Sequence, residues 1–324
     1  MFLLVVWTSR LDKRVAKIYT SFMKCTLCPR NCNIDRNATS GFCGVGDVTV
    51  SRIACHAWEE PCISGTKGSG TIFFAGCNLR CRFCQNYDIT VSPHGVQITV
   101  EQLADAMLYL QDKGMANINL VTASHFVPQL AEALKKAKPL LHIPVVYNTS
   151  SYEKVEALKL LDGLVDVYLP DLKFCSSQLS AQLANAPDYF QVATDAIKEM
   201  RRQQPQDQFD REGYITKGVI VRHLVLPTQV EDSKRILDWI CTLGKDTYVS
   251  LMSQYFPARQ DSKVLYLNRR LFKHEYNNVT AYFENVGLHN GFTQQLESAT
   301  RDYLPEFSDS DVSSVLQNMN KVFS

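Results

Sequence analysis

The sequence predicts an α/β protein built on a partial (β/α)6 barrel, with a Cys-rich element before it and an extension after it. Three observations carry that expectation. Six short apolar runs alternate with stretches of helical periodicity between residues 71 and 252. Strands of this kind are buried on both faces and pair in parallel, with helices outside. The span is shorter than the roughly 250 residues of a closed eight-unit barrel. Finally, nine of the eleven cysteines fall in the first 84 residues, ahead of or just inside the first unit. An open doubly wound sheet uses the same alternation and is the competing topology.

The elements follow in order. A Gly/Ser-rich stretch at 64–70 suggests a boundary after the Cys-rich element. Residues 71–75 (TIFFA) read as the first buried strand, ending at Gly76. Residues 100–111 place Leu103, Ala104, Met107, Leu108 and Leu110 at helical spacing. Strands are expected at 117–121, 142–147, 165–169, 218–226 and 248–252, and helices at 127–137, 153–161 and 231–243. A longer helical stretch reaches Arg202, and the charged tail from Asn268 onward is expected to cap one side. The resulting division is 1–66, 67–258 and 259–324.

Composition excludes several classes. The chain has 324 residues, 45% apolar and 21% charged, with a formal net charge of +1. That balance steers the protein toward neither nucleic acid nor an anionic membrane. Arg201-Arg202 and Arg269-Arg270 are too short to change it and read as solvated helix faces. The N-terminal run in MFLLVVWTSRLDKR is brief and has no basic residue before it, unlike a signal peptide. No run approaches the roughly 20 apolar residues of a membrane helix. These features lead to the expectation of a soluble, cytoplasmic chain. An odd cysteine total with tight local spacing argues against a secreted disulfide framework and for metal.

Residues 76–86, Gly-Cys-Asn-Leu-Arg-Cys-Arg-Phe-Cys-Gln-Asn, carry the chemistry. Cys77, Cys81 and Cys84 follow C-x3-C-x2-C directly after the first strand. Three thiolates on one loop can hold three irons of a cubane, leaving the fourth open to a small molecule. A structural zinc site wants four ligands, and the nearest additions are Cys62 and His94. The position also fits, because active sites of such barrels lie at strand C-terminal ends.

This stretch resembles the signature of the radical S-adenosylmethionine (SAM) superfamily, with aromatic Phe83 before the last cysteine. The resemblance implies that a 4Fe–4S cluster reduces SAM to methionine and a 5′-deoxyadenosyl radical, which takes a hydrogen atom from a substrate. Within the superfamily the chain is most similar to pyruvate formate-lyase activating enzyme homologues. The shared segments are KCTLCPRNC (24–32), GFCG (41–44), EEP (59–61), GTIFF (70–74), YNTS (147–150), YLPDLK (168–173), RHLVLP (222–227) and SLMSQY (250–255). The resemblance as a whole covers about residue 24 to about residue 305. The resemblance further implies an electron donor of flavodoxin or ferredoxin type and a glycyl-radical protein as substrate.

It also implies cofactor contacts at strand ends. The Gly-Gly-Glu segment that binds the SAM amino group in activating enzymes is replaced here by Val121-Thr122-Ala123-Ser124-His125. Thr122, Ser124 and His125 could supply polar atoms instead, or Ser124 could cap the helix that follows. Asp171-Leu172-Lys173 resembles an Asp-x-Lys whose lysine meets the methionyl carboxylate; a surface salt bridge is the plainer reading. Asn148 and Thr149 fall where the resemblance places ribose and carboxylate contacts. Arg222 and His223 interrupt an apolar strand, and the arginine needs a partner: a cofactor or substrate carboxylate, Asp171 or Asp166.

Cys25, Cys28, Cys32 and Cys43 follow C-x2-C-x3-C-x10-C, which suits zinc or a second iron–sulfur cluster, in a structural role or for electron delivery or substrate ligation, with reduced free thiols as the remaining reading. Cys55 and Cys62 lie close enough to confuse the ligand count, and Cys241 reads as core. Three functions are consistent with the residues. The chain activates a partner by removing a glycyl hydrogen; it acts by radical chemistry on another peptide or a small metabolite; or it is a non-enzymatic metal-binding adaptor.

Overall fold

A computed structural model describes residues 24–296 and 307–322. The apolar N-terminal run lies outside the described residues. Among the described residues no helix is long and apolar enough to cross a membrane.

The chain enters through a loop-rich element and β1 (Thr49–His56), then a short helix, α1 (Pro61–Ser64), and β2 (Ser69–Phe74). There follow α2 (Tyr87–Thr90), β3 (Val96–Gln97), α3 (Val100–Asp112), β4 (Ile118–Val121), α4 (Val127–Ala137) and β5 (Val145–Thr149). Next come α5 (Val155–Leu158), β6 (Val167–Pro170), α6 (Ser177–Ala184), α7 (Tyr189–Gln203), β7 (Gln208–Phe209) and β8 (Ile215–Leu224). The chain then runs through α8 (Val230–Cys241), β9 (Tyr248–Met252), α9 (Lys273–Asn285), β10 (Gly291–Thr293) and α10 (Asp309–Val322).

Strands β2, β4, β5, β6, β8 and β9 lie side by side in parallel, in that order. They are the six strands read from the sequence. β10 extends the sheet in parallel beyond β9, while β1 pairs antiparallel with β2 and β3 with β1. Among the described residues the two ends of the sheet are not joined, so the barrel is partial. It is nonetheless strongly curved, because residues of β2 and of β9 line one cavity. An open doubly wound sheet would keep those edges apart.

Pattern explains where each face goes. α3, α4, α7 and α8 turn Leu103, Met107, Leu130, Leu134, Ile197, Met200, Ile236 and Ile240 onto the outer face of the sheet, all of them buried. Each contributes about 1.5–3 kcal/mol of apolar burial. Thr99 caps α3 with a capping box completed by Gln102. The longer helical stretch expected to reach Arg202 consists of α6 and α7, divided at Asn185, which takes the left-handed conformation (φ 50°) as the C-cap of α6. The strand expected at 142–147 runs later, at Val145–Thr149. Pro144 has no N–H to give and only accepts, from Ile118.

The inside of the barrel is filled from an unexpected direction. The connection from β1 to β2 carries α1 into it, where Cys62 and Ile63 pack with Val146, Val167, Leu169, Ile215 and Ile220. Gly65 and Gly68 permit the exit turn: both have positive φ (47° and 76°), and a Cβ would strike Tyr214 and Cys55 respectively.

The C-terminal tail does not cap one side as expected. α9 packs on α8, and β10 widens the β9 edge. α10 lies on β1 and α3 at the opposite edge, burying Val312 and Met319.

Candidate functional site

The six parallel strands β2, β4, β5, β6, β8 and β9 end at one cavity. Cys77, Cys81 and Cys84 on the loop after β2 line it, with Thr122 after β4, Asn148, Thr149 and Ser150 at the end of β5, and Asp171 and Lys173 after β6. Arg222 and Leu224 of β8, Met252 of β9 and Gln254 just after it complete the ring.

The thiol loop is held tightly. Gly76 adopts φ +79°, and a Cβ there would stand 2.5 Å from the carbonyl oxygen of Cys43. The Leu79 amide donates to Cys77 Sγ at 3.3 Å, and the Thr90 hydroxyl to Cys84 Sγ at 3.4 Å. Such donors favour thiolate. Burial pushes the thiols of Cys81 and Cys84 up, and the nearby Lys173 ammonium works against that rise. Arg82 anchors the loop from outside with a bidentate ion pair to Asp261, both bonds 2.7 Å. Three sulfurs on one loop, facing one cavity, fit a 4Fe–4S cluster with an open iron.

Behind the thiols sits a buried charge network. Arg222 Nε donates to Asp171 Oδ1 at 2.9 Å, Nη1 to Glu59 Oε2 at 3.1 Å and Nη2 to Asn148 Oδ1 at 2.5 Å. Lys173 Nζ donates to Asp171 Oδ2 at 2.6 Å. Glu59 Oε1 accepts from Asn119 at 2.8 Å and Asn148 at 3.3 Å. Two cations thus meet two carboxylates, which is what makes their burial tolerable. Burial opposes charge on Asp171, but Arg222 and Lys173 outweigh it and hold its carboxyl below the usual range. Burial likewise opposes charge on Lys173, and Asp171 and the Cys81 sulfur overcome it, so the ammonium is favoured.

The sequence-predicted residues divide. Cys77, Cys81, Cys84, Thr122, Asn148, Thr149, Asp171, Lys173 and Arg222 share the cavity. His223 does not reach it. Neighbours in a strand face opposite sides, and its ring bonds the Leu172 carbonyl and Ser233 Oγ instead. His125 is also turned away, with Nε2 2.8 Å from the Ala75 carbonyl oxygen. Burial lowers its pKa to about 3, so it is neutral. Ser124 does not cap α4, whose N-cap is Phe126; its hydroxyl lies 3.5 Å from Asn78 Oδ1. Asp166 pairs with Lys138, not with Arg222.

Of the two acids that balance Arg222, sequence reasoning named Asp171, which pairs with it at 2.9 Å, and missed Glu59. Glu59 comes from the β1–β2 connection and reaches the cavity beside His56 and Trp58. Glu60 is more deeply buried, and burial raises its carboxyl pKa. Two adjacent acids before Pro61 were visible in the sequence, but nothing local shows that they enter a barrel formed downstream.

Cys25, Cys28, Cys32 and Cys43 gather in the loop-rich element, and all are free thiols. Burial raises the Cys28 thiol to about 11 and that of Cys43 in the same direction. The element docks against the thiol loop: the Cys77 amide donates to the Cys43 carbonyl at 3.2 Å, and Arg30 Nε to the Asn78 carbonyl at 2.7 Å. Among the described residues no group of three or more His, Cys, Asp or Glu side chains stands where it could hold a single metal ion, neither this quartet nor the Cys77 triad. Cys241 lies half-buried against the main core, as read from the sequence.

Comparison with known proteins places the chain. Residues 71–240 match the Radical SAM superfamily. The chain is 31% identical over 287 residues to the uncharacterized protein MJ0674 of Methanocaldococcus jannaschii, covering 86% of this chain and 79% of that one. Among solved structures, SuiB of Streptococcus suis bound to S-adenosylmethionine aligns with TM-score 0.47 and 16% identity, over 72% of this chain and 52% of SuiB. Methylornithine synthase (PylB) aligns with TM-score 0.46 and 13% identity, over 76% and 78% of the two chains. The chain spans about half the length of SuiB, and neither likeness bears on substrate. The superfamily match begins at Thr71 in β2 and takes in the thiol loop and the cavity-facing ends of β4, β5, β6 and β8. The chain is a member of the radical SAM superfamily.

Proposed function

We propose that this enzyme cleaves SAM reductively at a 4Fe–4S cluster held by Cys77, Cys81 and Cys84, and that its substrate is a glycyl residue of a partner protein. When bound, cluster and cofactor supply a 5′-deoxyadenosyl radical for hydrogen abstraction. The single observation that carries the SAM site is that the three thiols and the Lys173–Asp171 pair face the same cavity.

The residues divide the work. Lys173 offers a compact positive charge to the methionyl carboxylate, and Asp171 keeps that charge in place. Asn148 and Thr149 offer polar atoms at the β5 end for the ribose. Thr122, in the left-handed conformation (φ 63°), turns the chain at the end of β4 toward the cavity. Leu79, Phe83, Val121, Leu224 and Met252 form apolar walls that keep water from a reactive intermediate. The glycyl substrate and an electron donor of flavodoxin or ferredoxin type rest on the resemblance of the segments between residues 24 and 255 to activating-enzyme homologues.

The test is anaerobic reconstitution followed by dithionite and SAM. Release of 5′-deoxyadenosine that disappears on Cys81→Ala supports cleavage at this loop; its persistence overturns it. An oxygen-sensitive glycyl radical on a partner protein supports the substrate assignment. Cofactor cleavage that instead modifies another peptide or a small metabolite overturns that assignment alone.

A further inference from the structure

We infer that Cys25, Cys28, Cys32 and Cys43 form a second metal centre, a dianionic tetrathiolate, and that Arg36 is its buried counter-cation. This centre is independent of the cluster on Cys77, Cys81 and Cys84.

The first observation is the gathering of the thiols. Cys28 lies within electrostatic range of Cys25 and Cys43, and Cys43 within range of Cys25 and Cys32. The backbone is folded tightly around them. The Cys25 amide donates to the Ile34 carbonyl at 2.7 Å, and the Asn33 amide returns to the Cys25 carbonyl at 2.8 Å. Asn31 and Asn33 take left-handed conformations (φ 44° and 54°) to allow it. The Phe42 amide donates to Cys32 Sγ at 3.3 Å, as an amide does to a metal-bound sulfur. Gly41 packs so close that a Cβ would stand 3.0 Å from the same sulfur.

The second observation is independent and concerns charge. Arg36 is only 6% exposed, yet it bonds to no carboxylate among the described residues. Its guanidinium donates to two backbone carbonyls, His125 at 2.6 Å and Val45 at 3.3 Å, and its buried Nε has no partner. A buried cation without an anion is costly. Its charge reaches the Cys43 sulfur and the neutral His125 ring, and its guanidinium stands 5.3 Å from the ring centre of Phe126; of these only the sulfur can carry a negative charge. Nearby, the guanidinium of Arg30 lies 3.9 Å from the ring centre of Phe42, and that of Arg80 lies 5.3 Å from it. Phe42 immediately precedes Cys43.

Four neutral thiols leave this positive charge without an anion, and the Phe126 ring 5.3 Å away answers it only in part. Four thiolates around Zn²⁺, or around a 4Fe–4S core of charge 2+, carry a net charge of −2 and answer it. Both metals demand the same ligands and the same counter-charge. The thiols close onto the metal as it binds, the behaviour of centres whose assembly is coupled to local folding.

The test uses the full chain, purified anaerobically, with Cys77, Cys81 and Cys84 all replaced by alanine so that bound metal reports the quartet. Retention of about one zinc, or of about four irons with inorganic sulfide, sustains the site and names its metal. Adding Cys28→Ala and Cys43→Ala should abolish it. No metal above background overturns the inference. Should the triple variant fail to fold, alkylation of the wild-type protein decides. Exposed Cys55 labels before and after chelation, whereas Cys25 and Cys32 label only after it; equal labelling of all three in both states overturns the site. Arg36→Met is expected to speed metal loss to a chelator about tenfold or more, with partial rescue by Arg36→Lys. An unchanged rate overturns the role of Arg36.

Discussion

Arg222 and Lys173 grip opposite oxygens of one carboxylate, that of Asp171, at 2.9 and 2.6 Å. The cation deeper in the barrel and the cation at the cavity wall are therefore joined through a single anion. Changing either one disturbs a different property.

Lys173→Met removes the positive charge offered to the cofactor without touching a thiol. SAM affinity is expected to fall about tenfold to a hundredfold, the worth of one charge-assisted bond. Iron content after reconstitution should stay at the wild-type level. Equilibrium dialysis with labelled SAM, read beside iron analysis, checks both.

Arg222→Met leaves Asp171 and Glu59 facing each other across a largely buried space. Removing one partner of a buried pair costs about 3–5 kcal/mol. Urea denaturation should show that loss, and adding Glu59→Gln should recover part of it. A double variant as unstable as the single one would contradict the network.

Gly76→Ala forces an L side chain into φ +79° and drives its Cβ against the Cys43 carbonyl. The conformation alone costs about 1–2 kcal/mol. The loop must shift, so the variant is expected to retain less iron than wild type under identical reconstitution. Gly114→Ala, also at positive φ but with open space around it, should retain a full complement.

The Arg82–Asp261 pair gives a pH signature. The Arg82 guanidinium, helped by the amides of Lys263 and Val264, holds the Asp261 carboxyl down from its ordinary 3.8 to about 2. A depressed folded-state pKa stabilises above the unfolded value and loses that stability as pH falls through the folded one. The pair's contribution is full above about pH 4 and fades toward pH 2. Arg82 is partly exposed, and after allowance for screening the contribution is about 1–2 kcal/mol. The stability gap between wild type and Asp261→Asn should be constant above pH 4 and close below it.

The six parallel strands were legible because each is a short run of apolar residues flanked by helical periodicity, as in 71–75 and 248–252. The thiol loop was legible because its ligands sit within eight residues, Cys77 to Cys84. Asp171, Lys173 and Asn148 were found as polar residues ending apolar strands. What escaped was long-range. Alternation along β8 could have separated Arg222 from His223. No pattern in the sequence could have paired Arg222 with Glu59, because that contact depends on α1 entering the barrel. The tail misled because α9 and α10 are both amphipathic, and periodicity does not say which sheet edge each will cover.

The pairing of Glu59 with Arg222 spans 163 residues. During synthesis Glu59 leaves the ribosome long before its partner. At about 5–20 residues per second the wait is roughly 8–30 s. Until β8 arrives, the acidic connection has no cation to bury against, and the interior cannot dry around it. Burial of this connection is thus timed by the fifth of the six parallel strands, and nascent chains stalled before residue 222 should hold residues 57–64 open to proteases.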